Sequence, residues 1–206
     1  MNIHQATQSY ENWMRSCTSV IEAHLRLKHK QMRESSFLFF RGTFYRWAQL
    51  WPDVCASLRD APKVLAVGDL HVGSFGARRD TEGRLSWGVD DFDESYPLPY
   101  TNDLVRLAAS VKIVIDSEKL TIGFKEGCSA ILEGYQKTLK AGGCPFVLAE
   151  HEKNLASPRN KRPVCDRGNA PVYWCAWVGW YWETAARHRR PRSILGGTIC
   201  FYSEST

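Results

Sequence analysis

The chain has 206 residues, 44% of them hydrophobic and 24% charged, with a formal net charge of +5. This composition supports one hydrophobic core of ordinary size and excludes an intrinsically disordered chain. Residues 1–149 hold 18 Lys and Arg against 17 Asp and Glu, and residues 150–206 hold 9 against 5, so the body lacks the basic face that nucleic-acid binding requires.

The opening MNIHQATQSYENW is polar and is not a secretory leader. From Tyr10 to about Lys30, the positions Tyr10, Trp13, Met14, Cys17, Val20, Ile21, His24, Leu25 and Lys28 recur at i, i+3, i+4, i+7 spacing, which predicts one amphipathic helix. In SSFLFFRGTFYRWAQLWP, Ser35 or Ser36 is placed to cap a short helix, and Pro52 marks a break. KVLAV, residues 63–67, reads as a short buried strand running into Gly68-Asp69. GRLSWGVDD reads as a second strand after the polar turn ARRDTEG, and PLPY reads as a rigid connector. Thr101 or Asn102 then caps a helix through DLVRLAASVKIVIDS, and another helix spans about Thr121 to Lys140, ending at Gly142-Gly143. Short strands beside several helices predict an α+β fold.

The chain divides into a helical segment over 1–62, a core over 63–150 and a divergent tail over 151–206. From Ala156 onward the only leucine is Leu195, yet four of the eight tryptophans crowd into VYWCAWVGWYW. The tail reads either as a disordered or poorly packed extension or as a Trp-rich partner surface. The seven cysteines are widely spaced without a C-x-x-C pair, which supports neither a disulfide framework nor a zinc site. With no apolar run long enough to span a bilayer, the expectation is a soluble cytoplasmic protein with reduced thiols.

Five acidic or imidazole side chains, Asp69, His71, Asp90, Asp91 and Asp93, fall within 25 residues. Phosphoryl transfer needs a carboxylate to orient the attacking hydroxyl, oxygen ligands for Mg²⁺ and donors around the phosphates. Asp69 just after a strand, Ser74 five residues on and Asp91 at the end of the next strand fit that layout. Arg41 in FFRG is placed to contact a phosphate or, as a salt bridge, an acidic residue.

The ordered set GDLHVGSFG, VDDFDE and TNDLVRLAAS, with the upstream MRESSFLFFRGTF, resembles the bacterial domain-of-unknown-function 2252 family over about residues 30–150. That family is itself similar to aminoglycoside and choline kinases. The resemblance implies a helix-rich, protein-kinase-like catalytic-lobe core with a short β-hairpin, and Mg²⁺ and ATP as cofactors. It places Asp69 as the catalytic aspartate with His71 beside it. Asp91 and Ser74 become metal ligands and Asp103 a structural support of the site; beside them, Asp93 is a secondary metal candidate and Arg41 a further structural support. The acceptor substrate and the oligomeric state stay open, and neither nucleic acid nor membrane is an expected partner.

Two departures stand out. Ser74 replaces the family's metal-binding asparagine with a shorter ligand, and Asp90 replaces an asparagine beside Asp91. No G-x-G-x-x-G occurs in the chain, so the phosphate-gripping loop of a kinase is missing. The expectation is a truncated family member, its tail after about Leu155 a frameshift product, with impaired or no ATP- and Mg²⁺-dependent phosphoryl transfer. The alternatives are an active phosphotransferase on an unknown acceptor and a metallophosphoesterase. The latter further needs G-D-x-x-D and G-N-H motifs, and downstream of the acidic cluster only His151 and His188 are available, in neither context.

Overall fold

In the computed structural model, which describes residues 1–80, 83–143 and 146–148, the N-terminal part is four helices: α1 (Ile3–Cys17), α2 (Glu22–Glu34), α3 (Ser36–Gly42) and α4 (Phe44–Val54). The single helix expected over residues 10–30 is therefore two. Thr18 is extended at φ −154°, and Thr18-Ser19-Val20 is a run of weak helix formers. The break folds α2 back beside α1, so that Arg15 Nε reaches Glu22 at 3.0 Å and His29 hydrogen-bonds Glu11. Ser35 caps α3, its hydroxyl accepting from Leu38 N at 3.3 Å, as the sequence suggests. Pro52 does not end α4. It lies in the last turn, where its missing N–H removes only the bond to the Ala48 carbonyl, and the helix closes with Cys55 N on Trp51 O at 2.9 Å.

Among the described residues five short strands follow: β1 (Lys63–Ala66), β2 (Phe75–Arg79), β3 (Leu85–Val89), β4 (Tyr96–Pro99) and β5 (Phe146–Val147). The expected hairpin exists, but its first strand is β2, paired antiparallel with β3 from Phe75↔Val89 to Arg79↔Leu85. Ala77, Arg78 and Arg79, read from sequence as part of a turn, are strand. β5 adds to β3 through Ser86↔Val147. β1 instead pairs antiparallel with β4, from Lys63↔Pro99 to Ala66↔Tyr96, so the supposed connector PLPY is mostly strand. Its prolines are tolerated because 97 and 99 alternate. They take the positions whose N–H would point away from β1, while Tyr100 N donates to Pro62 O at 3.1 Å.

Two helices cover the sheets, α5 (Tyr100–Glu118) and α6 (Phe124–Lys140). The core between them joins Ala66, Val67 and Leu70 to Phe75, Val89, Leu104, Leu107, Ile131, Phe146 and Leu148. Neither Thr101 nor Asn102 caps α5, which starts one or two residues earlier with Pro99 at the cap position. Both turn inward: Thr101 Oγ1 donates to Leu58 O at 2.8 Å, and Asn102 Oδ1 accepts from Trp47 Nε1 at 2.8 Å. These bonds tie the N-terminal helices to the first turn of α5. α6 ends in a Schellman motif, with Gly143 N on Thr138 O at 3.0 Å and Gly142 N on Leu139 O at 3.1 Å. The fold is α+β. No helix among the described residues is long and apolar enough to cross a membrane. The expectations for the tail lie outside the described residues.

The turn out of β1 depends on Gly68. Its φ is +84°, and a Cβ there would meet the Glu94 carbonyl oxygen at 2.3 Å. Gly83 has a similar φ of +79° with nothing within 4 Å. Gly83→Ala should therefore cost about 1 kcal/mol, the left-handed conformation alone, while Gly68→Ala should cost at least about 1 kcal/mol more because backbone must move. Urea unfolding of the two variants measures this, and equal losses would contradict it.

Candidate functional site

The site is the loop that leaves β1. Asp103, in the first turn of α5 and fully buried, grips the backbone at the loop's start. Its Oδ2 accepts from Val67 N at 2.6 Å, and its Oδ1 accepts from Gly68 N at 3.1 Å and Asn102 Nδ2 at 3.1 Å. Burial raises the Asp103 carboxyl to about 6, against the pull of those donors. These contacts fix the backbone where the loop leaves β1.

Asp69 follows at once, and its partner is a residue not singled out from sequence. Arg106, one turn into α5 and fully buried, donates from Nε to Asp69 Oδ1 at 2.9 Å and from Nη2 to the same oxygen. Nη2 also donates to the Phe40 carbonyl at 3.0 Å. The guanidinium carbon lies 4.0 Å from the centre of the Phe40 ring, 5.0 Å from Phe44 and 5.1 Å from Trp47. An arginine held by one carboxylate and stacked by three rings is desolvated and compensated at once. Burial raises the Asp69 carboxyl to about 6, with Arg106 pulling it down. The signal for Arg106 was the arginine in DLVRLAAS, which helical periodicity places on the same face as Asp103.

The rest of the loop closes on itself. The Ser74 hydroxyl, fully buried, donates to Asp69 O at 3.3 Å and accepts from His71 N at 3.2 Å. Ser110 Oγ accepts from Val72 N at 3.0 Å. His71 is also fully buried, edge-on to Phe37, and its Nδ1 accepts from Gly73 N at 3.0 Å. That bond makes Nε2 the protonated nitrogen of the neutral ring, and Nε2 has no hydrogen-bond partner among the described residues. Burial, with Arg41 and Arg106 nearby, lowers the His71 pKa to about 3.

The second acidic cluster sits along the loop's edge. Asp90 N donates to Ser74 O at 2.9 Å, which ties the end of β3 to the loop. The Asp91 carboxylate, 36% exposed, faces Arg41 Nη2 at 3.5 Å. Asp93 is exposed. Asp69 thus bonds to Arg106 directly, while Asp103, Ser74 and the His71 ring bond to the backbone of the same loop, and Asp91 pairs with Arg41 at the half-exposed edge. No group of three or more His, Cys, Asp or Glu among the described residues is arranged to hold a metal ion. Lys28 is a further residue not singled out from sequence, where it merely falls on the apolar stripe. Partly buried, it lies in the field of Glu11, Glu94 and Asp69, and burial lowers its ammonium pKa.

Residues 20–154 match the model of a family described as "Uncharacterized protein conserved in bacteria (DUF2252)". No curated protein and no solved structure matches the chain.

His71 sets a pH dependence whose sign is fixed. Below about pH 6.5 the unfolded imidazole takes a proton that the folded one refuses until about pH 3. Stability from this group is complete above 6.5 and is lost as pH falls. Asp69 and Asp103, raised to about 6, act with the opposite sign: their contribution is lost as pH rises from about 4 to 6. His71→Asn keeps an acceptor for Gly73 N–H and removes only the first effect. Between pH 6 and 4 the variant should gain on the parent by roughly 1 kcal/mol per pH unit in urea unfolding. A difference independent of pH would contradict a buried neutral His71.

Proposed function

The chain belongs to the bacterial domain-of-unknown-function 2252 family, and we propose that it carries a kinase-like acidic loop in a structural role, without Mg²⁺- and ATP-dependent phosphoryl transfer of its own. The observation that carries this reading is the capture of Asp69 Oδ1 by two N–H groups of the buried Arg106. A carboxylate that orients an acceptor hydroxyl must turn its lone pairs to the substrate. Here one oxygen is committed to the interior, and the side chain is only 15% exposed.

The donor set does not fit a resident Mg²⁺. Mg²⁺ keeps several waters and takes one or two carboxylates together with substrate phosphates. Ser74 stands at the position of the family's metal-binding asparagine, but its hydroxyl is fully buried and bonded within the loop. Asp91 has Arg41 opposite it, and Asp93 is exposed and apart from this loop's hydrogen bonds. A kinase also needs a glycine-rich loop over the phosphates, and no G-x-G-x-x-G is present in the sequence.

What these residues do is hold a loop. Asp103 fixes its first two amides, Arg106 fixes Asp69, and Ser74 and Ser110 close the turn around His71. Isothermal titration of the full chain with Mg²⁺-ATP should show no binding tighter than roughly 1 mM. Micromolar binding that disappears in Asp91→Ala would overturn the reading and make the chain an active phosphotransferase candidate.

A further inference from the structure

Between α1, α2 and α3 lies a cavity of about 540 Å³, within the usual range for small-molecule sites. Ile3, Met32 and Phe39 supply an apolar wall, and Phe39 keeps 41% of its surface exposed. Glu11, His29 and Arg33 supply the polar wall. The Glu11 side chain is only 12% exposed and hydrogen-bonds His29 Nε2. Arg15 lies 3.9 Å from Glu11 but is bound chiefly by Glu22, at 3.0 Å. The Arg33 side chain makes no hydrogen bond or ion pair among the described residues. The negative charge of Glu11 is thus met by its neighbours, and the positive charge of Arg33 is not.

We propose that this cavity binds a small organic oxyanion, its charged end on Arg33 and its apolar, ring-sized body against Met32 and Phe39. An arginine fork pairs with a carboxylate, sulfonate or phosphate ester through two parallel N–H bonds. The site is distinct from the acidic loop. α3 separates them, since Phe39 lines the cavity while Phe40 stacks on Arg106 and Arg41 faces Asp91.

The test is a fluorescence titration of the full chain with 8-anilino-1-naphthalenesulfonate, with phenyl phosphate, phenylacetate and benzyl alcohol as competitors. One saturable site is expected, displaced by phenyl phosphate, by phenylacetate or by both, with benzyl alcohol at least about tenfold weaker. The more potent of the two anions identifies the preferred oxyanion. Arg33→Ala should weaken dye binding at least about tenfold. Arg26→Ala, on the same helix but outside the cavity wall, should leave it unchanged. Arg33 is on the surface, so unchanged circular dichroism and urea midpoints should accompany the loss. Dye binding in Arg33→Ala within about twofold of the parent, displacement by neither anion, or equal displacement by benzyl alcohol would each overturn the proposal.

Discussion

The buried guanidinium of Arg106 is the constraint around which this structure is arranged. An arginine taken wholly out of water is tolerated only when its charge is paired and its N–H groups are bonded. Three elements share that task. The β1 loop brings the Asp69 carboxylate, α3 brings the Phe40 carbonyl and ring, and α4 brings the faces of Phe44 and Trp47. None of these groups is near Arg106 in sequence, the contacts with Asp69 and Phe40 spanning 37 and 66 residues. Leaving out any one element exposes or orphans the charge, so helices, loop and sheet are expected to form together.

The same constraint shapes the acidic loop. A loop that crosses the end of a two-stranded sheet has amides with no ladder to join, and each must find a partner. Asp103 takes two of them, Ser110 one, the His71 ring one and Ser74 one. With Asp69 held by Arg106, the polar side chains of the loop, Asp69, His71 and Ser74, are all engaged in holding it. Ser74 suits this arrangement. Its short hydroxyl reaches both the Asp69 carbonyl and the His71 amide within the turn, which leaves it facing inward.

Much of the fold was legible in the residues. The strand in KVLAV, the cap at Ser35, the end of α6 at paired glycines and the α+β class follow from local pattern, although the strand reads as buried and is so only at its end, with Leu65 46% exposed. What was not legible depended on partners distant in sequence. Pro97 and Pro99 read as a connector because strand pairing with β1 is a tertiary fact, and only the pairing shows that their missing N–H groups face away. Thr101 and Asn102 read as caps because both are good N-cap residues, yet Leu58 and Trp47 offered them buried partners instead. The break at Thr18 was hidden because apolar spacing continues through Val20 and Ile21. In the site, Asp69 and His71 share the loop after β1 that the sequence pattern marks, and Asp103 opens the helix that packs on it. Arg106 did not stand out, since a mid-helix arginine is ordinarily a solvated residue and its burial is decided by aromatic side chains on other helices.

A double-mutant cycle of Asp69→Asn and Arg106→Met, followed by urea unfolding of the full chain at neutral pH, tests the central claim most directly. If the pair organises the loop, Arg106→Met alone strands a buried carboxylate and should cost about 3–5 kcal/mol, while the double variant should lose less than the two single changes summed, with a coupling of at least about 2 kcal/mol. Losses that add to within about 0.5 kcal/mol would contradict the account, because the two side chains would then act independently.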